Sequence, residues 1–113
     1  MANTFKNSVT ASIGTSATDV YTAPGATTTT VIGAAVSNRT SSPAVPIAVD
    51  ATVTDTSGSV TAYLVRAAPV AAGGALVLIG GDQKVVLETG DKITVTSDTA
   101  ASADVVISVL EQT

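Results

Sequence analysis

The chain has 113 residues, 45% of them hydrophobic and only 12% charged, with a formal net charge of −4. That is one domain's worth of chain, enough to bury a modest core. It carries no cysteine and no histidine, and its five basic residues, Lys6, Arg39, Arg66, Lys84 and Lys92, are scattered. These counts exclude disulfides, thiolate and imidazole metal sites, histidine-based triads and the basic stripe that nucleic-acid binding needs.

The strands can be read in order. Phe5, Asn7, Val9, Ala11 and Ile13 alternate with polar residues and share one face, the period of a half-buried strand over residues 5–13. A short run over 18–22 ends at Pro24-Gly25, a type II turn pair. Four threonines, 27–30, lead into VIGAAVS (31–37), which is apolar on both faces and reads as a central strand, with Gly33 marking a bulge or a close backbone approach. The polar loop 38–43 follows. Residues 47–54 (IAVDATVT) alternate with Ile47, Val49, Ala51 and Val53 inward, and the turn Thr56-Ser57-Gly58-Ser59 leads into 60–66, so these two strands form a hairpin.

Residues 67–74 (AAPVAAGG) carry no charge and only small side chains. The plain expectation is a loop tucked over the end of the domain. The functional expectation is a loop that packs on a neighbouring subunit, which makes Ala67, Ala68, Pro69, Val70, Ala71 and Ala72 candidate contact residues. Short strands over 76–79, 85–87 and 93–96 are punctuated by Gly80-Gly81-Asp82 and Gly90-Asp91. In the last strand, 105–110, Val105, Ile107 and Val109 share a face. Val106, Ser108 and Leu110 share the other, so both faces read as covered, by a central position in the sandwich or by a subunit contact, and Val106 and Leu110 join the candidate contacts. No window has helical spacing. The fold expectation is a single all-β domain spanning 1–113: a β-sandwich of eight or nine short antiparallel strands with immunoglobulin-like or jelly-roll topology. With aromatics at 3%, its core is built from small residues, and a charge-poor Ser/Thr/Ala surface favours self-association.

Candidates for chemistry are few. Asp82, Asp91 and Asp98 follow strand ends, where aspartate bonds turn backbone, and no Asp-x-Asp-x-Asp spacing suggests calcium. Asp50 and Asp55 read as solvent-facing. Asn38-Arg39-Thr40 matches the glycosylation sequon, though residues 1–9 (MANTFKNSV) have no apolar core of signal-peptide length. Lys6 and Asn7 raise an intramolecular Lys–Asn cross-link. Tyr21 and Tyr63 are the available platforms for stacking a sugar. The longest uncharged apolar stretch, 67–81, is shorter than a membrane span and is broken by Pro69 and paired glycines. The expectation is no enzyme activity, no cofactor, no metal, no nucleic acid and no membrane.

The motifs YLVRAAPV (63–70), KVVLETGD (84–91) and ADVVISVLE (103–111), with YTAP (21–24) and VIGAAVSN (31–38) compatible, resemble small virion structural proteins of tailed bacteriophages, of the marine and cyanophage type. The resemblance implies a structural component of a phage particle, located in the virion. First comes a capsid decoration (cement) protein making symmetric lateral contacts, a homo-oligomer with a trimer favoured, partnered by the major capsid protein. A neck or tail accessory, partnered by neck or tail proteins, is the alternative. An immunoglobulin-like adhesion or carbohydrate-binding module is the further alternative.

Overall fold

A computed structural model describes residues 2–113. The chain forms nine antiparallel strands: β1 (Asn3–Ile13), β2 (Thr18–Thr22), β3 (Thr28–Asn38), β4 (Ile47–Asp55), β5 (Val60–Val70), β6 (Ala75–Ile79), β7 (Val85–Leu87), β8 (Lys92–Ser97) and β9 (Ala103–Gln112). One sheet runs β1-β9-β3-β6, with β7 also on β3; the other runs β2-β8-β4-β5. β6 pairs with residues 34–37 of β3 and β7 with residues 29–31, so together they act as one interrupted strand. The pairings are then nested: β1 with β9, β2 with β8, β3 with β6/β7, β4 with β5. A long hairpin rolled into two sheets has this order, and it is the jelly roll. The open choice between immunoglobulin-like and jelly-roll topology is thereby decided.

The expected strands form where alternation placed them. β3 lies centrally, between β9 and β6/β7, and shifts register between Val31 and Gly33 as the bulge expectation required. β4 and β5 form the expected hairpin. The sheets meet over a core of valine and isoleucine. Val31, Val36, Val49, Val95, Val105, Ile79, Ile93 and Ile107 are fully buried, and no aromatic side chain is among the buried core of the described residues.

Four expectations change. Residues 67–70 are not a loop: they complete β5, which bulges at Ala67 (φ +49°), and only 71–74 turn. The second turn centres on Gly25-Ala26, and Ala26, not Gly25, takes the positive φ (+54°). Within one chain β9 is covered on one face: Val105, Ile107 and Val109 are buried and Val106 and Ser108 exposed, so a central place in the sandwich does not cover its second face, which leaves the subunit contact as the cover to be sought. In β1 the apolar face points outward. Ser8 Oγ donates to the Val20 carbonyl (2.7 Å) and Lys6 Nζ meets Glu111 (3.1 Å), so polar partners wait on the inner side of this edge strand and select polar residues there. Ile13 leaves the Phe5 face because Ser12 (φ +60°) forms a bulge that turns it into the core.

Candidate interaction surface

The register lines up side chains on the outer face of the β1-β9-β3-β6 sheet. Phe5 stands beside Leu110, Leu110 beside Thr30, and Thr30 beside Val86. Two pairs further along, Val9 stands beside Val106, Val106 beside Ala35, and Ala35 beside Val77. Between these apolar rows lie Asn7 and Ser108, with Ile32 at the β3 bulge. A shallow depression of about 330 Å³ opens there, lined by Phe5, Lys6, Asn7, Ile32, Ser108 and Val109. Phe5 is 75% exposed, Val77 67%, Val9 64%, Val86 59% and Val106 50%. These are five of the seven large hydrophobics that stand exposed among the described residues, and all five share this face.

The opposite outer face is polar. Thr94 stands between Thr52 and Asp19, Lys92 between Thr54 and Thr22, and Thr96 beside Asp50. Asp19 accepts from Thr94 Oγ1 (2.9 Å) and pairs with Lys92 (3.4 Å). The sandwich is therefore two-faced, with threonines and the Lys92–Asp19 pair on one side and valine and phenylalanine on the other.

The expected contact residues fall in two places. Val106 and Leu110 lie on the apolar face, Val106 exposed and Leu110 half-buried. Ala67, Ala68, Pro69 and Val70 end β5, an edge strand of the other sheet, and Ala71 and Ala72 sit in the turn after it. Val70 is buried in the core and its carbonyl accepts from Asn38. The structure does not bring these two groups together. Phe5, Val9, Val77 and Val86 were missed as contact candidates. Their signal was present, since each is a large apolar residue at a regular strand position, but periodicity does not say which sheet face looks outward.

Most of the residues weighed for chemistry have structural duties. Asp91, buried, accepts from Thr56 N and Glu88 N (3.0 Å each), closing the turns at that end. Asp98 accepts from Ala48 N (3.1 Å). Carboxylate oxygens of Asp55, Glu88 and Asp91 lie within 4.8 Å of one another, and Asp55 also accepts from Ser57 and Gly58. Asn38 of the sequon is buried, and its Nδ2 donates to the carbonyls of Val45 (2.7 Å) and Val70 (3.1 Å), so the nitrogen that a glycan would occupy is committed to the fold. Lys6 reaches Glu111, while Asn7, next along the strand, points to the opposite face; that lysine and that asparagine do not converge. Tyr21 is half-buried and donates to Glu111 Oε2 (2.6 Å), with Thr29 Oγ1 at 2.8 Å, which leaves Tyr63, under the guanidinium of Arg66 at 5.1 Å, as the exposed tyrosine of the two.

No protein-family model matches the chain, and no curated protein matches it. Among solved structures it is similar to a chain from Bacillus endospore appendages, described as a family of disulfide-linked pili. The TM-score is 0.50 at 11% identity, covering 98% of this chain and 88% of that one. At that identity the likeness speaks for the fold, an all-β two-sheet domain.

Proposed function

We propose that this chain is a structural subunit that works by assembly, most simply a capsid decoration protein of a tailed-bacteriophage type of particle. The observation that carries the reading is the apolar outer face of the β1-β9-β3-β6 sheet. Soluble monomers seldom expose a contiguous apolar patch beyond a few hundred Å², and larger ones mark interaction surfaces. The resemblance of residues 63–111 to phage structural proteins favours a particle, and the absence of histidine and cysteine leaves little for catalysis to use. The carbohydrate-binding alternative is weakened, because Tyr21 is tied into Glu111 and Thr29 and no longer offers a stacking face beside Tyr63.

Assembly into pili is stated of the structural neighbour, whose pili are disulfide-linked. Within these 113 residues there is no cysteine, so they offer no disulfide with which to link subunits. Mass spectrometry of purified particles with copy counting tests the reading. High copy number on the shell supports a decoration protein, low copy number moves it to the neck or tail, and recovery in a filament outside any particle overturns the virion assignment.

A further inference from the structure

We propose that the apolar outer face of the β1-β9-β3-β6 sheet is a two-fold interface between two copies of this chain, packed sheet on sheet. The proposal deepens the assembly reading and rests on it. Its first support is the way the edges are closed. β1 turns Lys6 inward and bulges at Ser12, where Asp104 Oδ1 accepts from Ser12 N (3.0 Å). β5 bulges at Ala67, whose N–H is taken by Asp50 Oδ1 (2.6 Å), and carries Pro69, which has no N–H to offer. β2 has five residues, and the β6/β7 edge is interrupted. Inward charges, bulges, proline and short strands are how proteins prevent edge-to-edge pairing. Strand addition is thus opposed at every edge, while the face is left open.

The second support is charge. The two apolar rows hold no ionisable side chain, and at the end of the face Asp104 is paired with Arg39 (3.2 Å). A charged partner would find nothing to pair with, whereas a neutral apolar sheet face would be well matched. A second copy supplies one with the same row spacing, despite the net charge of −4 on each chain.

The third is geometry. A two-fold axis in the plane of the face, along the Asn7–Ser108 row, sets Phe5 of one copy on Val9 of the other, Leu110 on Val106 and Val86 on Val77. Large apolar side chains meet large apolar side chains, Thr30 falls on Ala35, and Asn7 and Ser108 each face their own copies along the axis. With strands about 4.8 Å apart and about 3.3 Å per residue, the face is about 19 Å by 30 Å. That is of the order of 600 Å² per copy, at the lower end of stable interfaces. The three-fold expectation requires this face to meet a different apolar surface. The remaining exposed large hydrophobics, Val60 and Tyr63, sit on β5 with Arg66 and do not form one.

Light scattering and sedimentation of the full chain test the proposal. The expected mass is twice the 11.0 kDa of the chain. Val106→Asp should give a monomer with an unchanged β spectrum and a melting temperature that no longer rises with chain concentration. Ser108→Cys, in a chain otherwise free of cysteine, should oxidise to a covalent dimer, and Tyr63→Cys should not. A monomer at every concentration, three times the chain mass, or a dimer that survives Val106→Asp overturns the two-fold pairing. A chain that is monomeric alone yet recovered on purified shells overturns the pairing and keeps the assembly reading. A dimer found in no particle supports the pairing and overturns the virion reading.

Discussion

Glu111 shows how much of this sequence is structural where it first reads as chemical. It is buried on β9, receives the Tyr21 hydroxyl and Lys6, and so ties β2 of one sheet to β1 and β9 of the other. The Tyr21 hydrogen bond holds its carboxyl below the ordinary 4.5, against the opposing effect of burial, and Lys6 adds to the lowering. The folded state therefore binds this proton less readily than the unfolded chain. Its contribution to stability is complete above the ordinary value and is lost as pH falls through the depressed one. Burial first, then the bond to Glu111, pushes Tyr21 up to about 12. That contribution is complete below the ordinary 10.0 and is lost as pH rises toward about 12. Tyr21→Phe should flatten both limbs of a urea-midpoint profile against pH and cost about 1–2 kcal/mol near neutrality. Asn38→Ala should cost more, about 2–3 kcal/mol by urea titration, because it removes the Nδ2 bond to the Val70 carbonyl and the Oδ1 acceptor of Thr40 N (2.9 Å), while the Val45 carbonyl keeps only Thr40 Oγ1. The sequence displays Asn38 as a sequon, and nothing in its neighbours announces a buried corner; the partners lie 7 and 32 residues away.

At the scale of the element, strand period was legible and strand orientation was not. Alternation located β1, β4, β8 and β9 to within a few residues, since a side-chain period of two survives without knowledge of partners. It could not tell that Phe5 and Val9 look outward, because the polar groups that select the inner face come from Val20 and Glu111, far along the chain. Bulges were equally hidden. Ser12 and Ala67 hold positive φ without being glycine, and each is pinned by an aspartate on the neighbouring strand, Asp104 and Asp50. The 67–70 segment looked like a loop because small residues and Pro69 weaken strand signals, while an edge position tolerates both. Asp104→Ala and Asp50→Ala should each lower stability by about 1 kcal/mol in denaturant titrations. Both should also raise aggregation on storage, because releasing the bulge exposes a straighter edge. An unchanged aggregation rate would separate the bulges from edge protection.

For the whole molecule, strand period alone allows two topologies, and the nested pairing that makes a jelly roll is invisible to it because contacts such as Asn3 with Gln112 span nearly the entire chain. The same long-range pairing creates the surface that matters most. Phe5 and Val86 come from opposite ends of the sequence and reach one row only once β9 and β3 lie between them. Composition did foreshadow the outcome, in that a chain with 12% charged residues must leave apolar surface uncovered somewhere. The fold concentrates that surface on one face and places threonines and one ion pair, Lys92–Asp19, on the other. The measurement that tests this account most directly is a cryo-electron microscopy reconstruction of the native assembly that contains the chain. The account predicts Phe5, Val9, Val77, Val86 and Val106 covered by a neighbouring copy, with the threonine face turned to solvent or to the underlying particle. Density showing the valine face bare and neighbours joined along β1 or β5 would contradict it.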